Sequence, residues 1–497
     1  MAIFAGTETR LYLLDNTTLN WVDVSKSGNA YAGLSSGAHW SFAQFNDVVI
    51  AVQANAPPQA FTLSSSTEFT DLGGSPPQAA HVAVVNRFVV LSGLASFPKR
   101  VQWSGLNAIT TWTSTVNYSD FQDLPDGGNA RCVVGGDVGT IFQDTMIRRM
   151  IFSPGSDIVF QIDRIAKDIG VTNPHSVVDV GGIVFFLSAK GFMKLNPEGG
   201  LMPIGKERVD RTFLKAYDPA RPDLVIGAAN PEAHTILWTY KTKDVAMDAF
   251  NKVLAFDFIL DRWTPIDLQG EYLTSLAKPG ITLEALNMIG AVPVANTADN
   301  GSGAIRLTVA STAGWATNDI KEVAEVGGTT EANGSWPIAV ISNTEIDLQG
   351  STYSSAYTEG GYVAGSLDAL PISLDEFETA TLARLAAFDS EHSLGFFSGD
   401  NLEATLQTGE QSGISKRLFV RGVYPVTDAP EAFASIGGRE NLKTDPVYST
   451  ETGIDARGMC PQRVSTRHAR VKLRIPAGTE WSYATGCEPD YTGGGKR

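Results

Sequence analysis

Short apolar runs recur along this 497-residue chain, each ended by Gly, Pro, Asn or Asp, and most stand in pairs. Residues 9–14 precede 19–24, and 46–52 lead through Pro57-Pro58 to 59–63. Residues 81–91 lead to 100–104, with 110–112 following. The same pairing joins 146–152 to 157–162 and 182–188 to 192–196. It returns with 235–240 and 252–258, then Asp261-Arg262-Trp263-Thr264, and late in the chain with 382–388 and 393–398. Runs of this length between turn formers read as strands joined in hairpins. The pairs recur at roughly 40–50 residues, the spacing of propeller blades. A lone hairpin cannot bury both of its faces, whereas blades packed around an axis bury both and shelter their edges. The fold class expected is therefore all-β, a β-propeller-like body of repeated antiparallel hairpins; a series of β-sandwiches is the alternative.

Helical signals are few. Ser373-Leu374-Asp375-Glu376 matches a capping box ahead of residues 377–387, a short helix that competes with a strand over 382–388. Residues 208–217 read as another short helix. Residues 292–365 differ in texture, rich in Gly, Thr, Ser and Ala, with strands expected at 304–309, 338–341 and 345–348. Two similar phrases flank them, Thr282-Leu283-Glu284-Ala285-Leu286 and Ser366-Leu367-Asp368-Ala369-Leu370. Loop tips tolerate insertions. The organisation expected is a first part of the propeller body at 1–291, an inserted small β-module at 292–365, and completion of the body with C-terminal strands at 366–497.

Composition adds limits. A net charge of −16 disfavours a protein that grips nucleic acid through Lys and Arg, yet suits a wall along which a duplex slides. Cys132, Cys460 and Cys487 are odd in number and widely spaced, so neither a disulfide framework nor a zinc site is expected. Residues 1–6 lack a basic, then apolar, leader, and no stretch of about 18 apolar residues is present. The expectation is a chain made in a cytoplasm that stays soluble.

Catalytic patterns are missing. Gly135-Gly136-Asp137-Val138-Gly139-Thr140 lacks the lysine of a phosphate loop. Glu391-His392 stands alone, and there is no G-x-S-x-G elbow. His39, His81, His175, His234, His392 and His468 read as single polar residues. Asp120, Asp123 and Asp126 loosely resemble a calcium loop, but their spacing and Pro125 favour a turn. No catalytic, cofactor-binding or metal residue is expected, and no enzyme. One charged face stands out: alternation along a strand puts His468, Arg470, Lys472 and Arg474 on one side and Ala469, Val471 and Leu473 on the other. With Arg463 and Arg467 it makes a candidate partner- or DNA-contact face; a solvated face balancing an acidic body is the plainer reading.

Several phrases resemble one family. Arg100-Val101-Gln102-Trp103-Ser104 with Asn107-Ala108-Ile109-Thr110-Thr111-Trp112 looks like a "W-S … W" phrase of phage tail proteins. In those proteins a Gly-containing segment and an Ile/Arg strand follow, here residues 135–141 and Met146-Ile147-Arg148-Arg149-Met150. Similar family phrases are found at Phe185-Phe186-Leu187-Ser188-Ala189-Lys190-Gly191-Phe192, at residues 388–405 and at 470–481. Together they resemble the tail nozzle or hub proteins of short-tailed bacteriophages, also called packaged-DNA stabilisation proteins. Asn333-Gly334-Ser335-Trp336-Pro337-Ile338 and Ile346-Asp347-Leu348-Gln349-Gly350-Ser351-Thr352-Tyr353 are similar to a small module that phage proteins carry under a label borrowed from ubiquitin-activating enzymes. No cysteine lies in 292–365, so no thioester chemistry is implied. The resemblance implies a virion component, a homo-hexamer below portal and adaptor (connector) rings. Such a ring forms the distal DNA channel, retains the packaged genome with a gate or plug protein, and conducts genomic DNA at ejection without sequence-specific binding. Tail fibres or spikes attach outside. The rival from another class is a glycan-binding or glycan-cleaving tail appendage, for which Trp40, Trp103, Trp112, Trp238, Trp263, Trp315 and Trp336 supply aromatic surface.

Overall fold

The structure is a computed structural model that describes residues 2–15, 20–155, 158–230, 233–277, 291–365, 383–413 and 416–493. It divides into two compact units, Met1–Phe396 and Phe397–Arg497.

Among the described residues, the first unit holds seven antiparallel sheets besides the inserted module. The first sheet is Phe4–Gly6, Leu11–Leu14 and Trp21–Asp23. Five four-stranded meanders follow, whose first strands are Ser41–Phe45, Ala79–Val85, Ala130–Val134, Val178–Val180 and Gly227–Asn230. The seventh sheet pairs Tyr272–Ala277 with Ala383–Phe388 and then Leu394–Phe396. First strands pack on first strands from the second sheet to the fourth and from the fifth to the seventh, so they form the inner layer.

Alternation explains why these sheets stack face to face. Consecutive strand residues point to opposite faces, and here both faces are apolar. Ile141 packs back on the third sheet while Phe142 packs forward on the fifth. Phe186 then faces the fourth sheet and Phe185 the sixth; Ile236 faces the fifth and Leu237 the seventh. Each sheet thus lends one side to each neighbour, giving six successive cores. Trp21 of the first sheet meets Phe388 of the seventh at 5.8 Å between ring centroids, which closes the series into a ring. The body is a β-propeller-like fold.

The helix at 208–217 is observed as Asp210–Ala216, where Phe213 packs on Phe192 at 4.9 Å and caps the core between the fifth and sixth sheets. Ala383–Phe388 is a strand, so pairing with Tyr272–Ala277 prevails there over helical propensity. The capping box at 373–376 and both flanking phrases lie outside the described residues. The run 81–91 is two strands, split where Asn86 takes a positive φ of 55°. Residues 110–112, expected to be extended, form a turn in which Trp112 Nε1 donates to the Ile109 carbonyl at 2.8 Å.

Between the two long strands of the seventh sheet the chain builds a closed six-stranded barrel from Val292–Asp299 to Tyr362–Gly365. Its core is Ile305, Leu307, Val323, Ile338, Ile346 and Val363 with others. Asn333 holds it locally: its carboxamide accepts from Val326 N at 2.9 Å and donates to Val326 O at 3.2 Å, and Trp336 Nε1 donates to Ala332 O at 2.8 Å.

Residues 366–497 do not act as one piece. Ala383–Phe396 belongs to the seventh sheet, while Phe397–Arg497 is a separate β-sandwich. One of its sheets is built on Phe433–Arg439 and His468–Ile475, the other is Cys460–Thr466, Leu418–Thr427 and Ala484–Gly493. Val420, Val423, Ile436, Val471 and Leu473 fill the space between them.

Candidate functional site on the propeller axis

Three histidines that read as isolated in the sequence meet in space. His39 precedes the inner strand of the second sheet, His81 lies in that of the third, and His175 precedes that of the fifth. Ring centroids of His39 and His175 are 4.4 Å apart, and those of His81 and His175 are 5.2 Å apart. Tyr272, first residue of the seventh sheet, lies 5.4 Å from His39. Sheets two, five and seven are not neighbours in the ring, so side chains from all three can touch only at its axis. All four residues sit at the entry end of inner strands, which places the cluster at one end of that axis.

Local bonds hold the cluster in place. Buried Asn173 accepts from His175 N at 3.2 Å and donates to the carbonyls of Pro222 at 2.7 Å and Val225 at 3.0 Å. It thereby ties the entry to the fifth sheet to that of the sixth. Ser176 O accepts from Trp238 Nε1 of the sixth sheet at 2.9 Å. On the other side Gly37, at φ 74°, lies so close to Asp223 that a Cβ would come within 2.9 Å of the Asp223 Cβ.

The electrostatics are uniform. Burial lowers the pKa of His39, against a hydrogen bond donated by its ring to the Asp223 backbone carbonyl, which favours the proton. His81 is pushed down to about 4 by burial first, then by His39 and Arg131. Burial also takes His175 well below its ordinary value, with His81 and His39 adding to it. All three are neutral at pH 7, and burial raises the Tyr272 phenol. The His39 Nε2 atom is buried and has no hydrogen-bond partner. His39 meets His175 edge to face and His81 meets it tilted at 49°, and no group of three His, Cys, Asp or Glu among the described residues is arranged to hold a metal ion.

Beside the cluster opens a cavity of about 480 Å³, lined by inner strands of sheets five, six and seven: Val178, Asp179, Val180, Ala228, Tyr272 and Thr274 among them. Its walls are mostly aliphatic. Asp179 is its carboxylate, raised by burial against a hydrogen bond from Gly182 N.

The basic face expected in the C-terminal strand is also present, in the sandwich unit. Along His468–Ile475 half-buried and buried residues alternate without a break. Much of its charge is already matched. Arg474 meets Glu403 at 3.2 Å and Glu451 at 2.9 Å and lies over the Phe433 ring. Arg470 lies over Tyr448 at 5.5 Å, Arg467 is 3.7 Å from Glu440, and His468 is 3.5 Å from Glu410. Among the described residues neither Arg463 nor Lys472 forms an ion pair; Arg463 is on the strand Cys460–Thr466 of the other sheet, so the five basic residues do not share one sheet face.

Other candidates resolve into structure. Asp123 takes two bonds from Arg100, at 2.7 and 2.9 Å, and Asp126 pairs with Arg148 and Arg164, so the three aspartates do not converge on a cation. Trp40, Trp103, Trp112 and Trp238 are buried, while Trp315 and Trp336 pack on the barrel core. Cys132 and Cys460 are free and buried, and burial pushes their thiols up to about 12 and about 11, away from reactive thiolates. The axial cluster left no local signal in the sequence, since its members are linked only by the ring.

No family model and no curated protein matches this chain. Among solved structures it is similar to a dihydro-heme d1 dehydrogenase NirN in complex with DHE, at 9% identity and a TM-score of 0.36, over 72% of this chain and 74% of that one. It is also similar to a chain of a mitotic checkpoint complex, at 7% identity and a TM-score of 0.35, over 56% and 81%. At such scores neither informs the axial site.

Proposed function

We propose that this chain is a structural component of a phage tail, a nozzle or hub subunit that forms the distal DNA channel, retains the packaged genome and conducts it at ejection. One observation carries the reading beyond its sequence phrases. The two late phrases of that resemblance, 388–405 and 470–481, come together: Ala404 pairs with Ile475, Thr405 with Arg474 and Leu406 with Leu473. The earlier phrases likewise supply architecture. Trp103 donates to Tyr118 O at 2.9 Å, Arg148 to Gln143 at 2.7 Å, and Phe185 and Phe186 fill opposite cores. Residues so used hold blades and strands together, as a non-catalytic building block requires.

The working form is a homo-hexamer placed after the adaptor ring, in the virion, with fibres or spikes outside. Copies joined head to tail close a ring. The acidic balance of the chain lets DNA slide past it. Each propeller axis is narrowed by its own histidines and Tyr272, so the DNA path runs between copies rather than through a propeller. A cryo-EM reconstruction of the virion tests this: six copies around the tail axis are expected, and finding the chain off that axis or as single copies overturns it.

A further inference from the structure

Neutral imidazoles pack against one another at little cost, but imidazolium ions in contact repel, and more so where water is scarce. The axial cluster sets three imidazoles ring to ring, from inner layers of the second, third and fifth sheets. The groups facing it from the remaining elements are accounted for. Arg131 of the fourth sheet is engaged by Asp144 at 2.5 Å. Before the sixth sheet, Arg221 is engaged by Asp223 at 2.9 Å and Asp248 at 2.7 Å. The seventh sheet offers the Tyr272 hydroxyphenyl ring. The one carboxylate near His39, Asp223, is thus already held by an arginine.

We propose that His39, His81 and His175 form an acid-sensitive lock on the propeller: neutral, they bind non-adjacent sheets together at one end of the axis, and protonated, they repel one another and loosen the ring. Acid takes effect through the opened form, whose histidines take up protons first. A histidine free in solution titrates near 6.5, whereas His81 in the closed ring requires about pH 4. Loosening therefore develops as pH falls between those values. Tyr272 and the adjoining cavity give the separating rings space and water. This inference does not depend on the tail assignment.

The test is the unfolding midpoint of the full chain as a function of pH, for wild type, His175→Gln and the exposed-site control His392→Gln. Between about pH 7 and pH 5 the control is expected to lose as much midpoint as wild type or slightly more, because its acid-stabilising bond to Glu271 is gone, and His175→Gln to lose less than wild type by about a third, one imidazole of three. Equal losses in wild type and His175→Gln overturn the lock. Should His175→Gln fail to fold, the wild type labelled with carbon-13 histidine answers the same question. Cluster ring signals that stay unshifted to about pH 5 support the lock; cluster signals that titrate near the ordinary histidine value overturn it.

Discussion

The axial cluster and the basic strand His468–Ile475 are opposite solutions to placing ionisable side chains. On the strand, alternation leaves each basic side chain half-buried with one side to solvent, where some find a counter-charge, as Arg474 does with Glu403 and Glu451. At the axis, the same class of side chain is half-buried against its own kind, with the nearest carboxylate, Asp223, already held by Arg221, and survives by losing its proton. The first arrangement is written in neighbouring residues. The second exists only once distant sheets close. Burial without a partner makes the axis the more sensitive of the two to mutation and to acid.

That difference can be broken or sharpened in order of effect. Trp238→Ala, at the fifth–sixth core and bonded to Ser176 beneath the cluster, is expected to cost about 3–5 kcal/mol in denaturant unfolding. Asn173→Ala leaves the Val225 carbonyl without its donor, and the Pro222 carbonyl with Val225 N alone, and is expected to cost about 1–3 kcal/mol by the same measurement. A loss below about 0.5 kcal/mol would show that the axis end is not held by its polar bonds. Acidification comes next. The folded-state pKa values of His81 and His175 lie below the free value, so the unfolded chain binds protons first and stability falls as pH drops from about 6.5 towards about 4, and is full above that window. The slope approaches about 1.4 kcal/mol per pH unit for each such group. His392 has the opposite sign. Its hydrogen bond to Glu271 raises its pKa, so its small contribution is present in acid and fades as pH rises. On the basic strand, Arg474→Ala is expected to cost only about 0.5–1 kcal/mol, decreasing with salt. Smallest of all, the pair Arg463→Gln and Lys472→Gln should change stability by less than about 0.5 kcal/mol and leave filter retention of DNA at low salt unchanged. A loss of salt-dependent retention would make that face a nucleic-acid contact.

The strands were legible because local sequence decides them. Ile141-Phe142, Phe185-Phe186 and Ile236-Leu237 are apolar on both faces, which suits a strand sandwiched between two sheets and gives the repeat its spacing. The strand Ala383–Phe388 was ambiguous because Ala, Leu and Arg favour helices, and only its partner Tyr272–Ala277 decides. The run 81–91 hid a turn because Asn86-Arg87 carries no glycine, though Asn tolerates positive φ. The sandwich of Phe397–Arg497 was folded into the body in sequence because its strands look like any other hairpin. Their faces pack on each other instead, which only the pairing of Ala404–Gln407 with His468–Ile475 discloses. The axial histidines were out of reach for a different reason: His39, His81 and His175 share no period, and the ring alone makes them neighbours.

The contact between Trp21 and Phe388 also sets a timetable for the nascent chain. The seventh sheet cannot form until the ribosome has delivered Ala383–Phe388, long after its partner Tyr272–Ala277 and after the whole barrel has emerged. Six sheets must therefore wait as an open arc with the outer faces of the first and sixth uncovered. Loop-closure entropy grows only slowly with length, so the long detour through the barrel costs little at equilibrium. Its cost is time and exposure, and the barrel, whose first and last strands pair at Val292 and Val363, holds the ends of the detour close together.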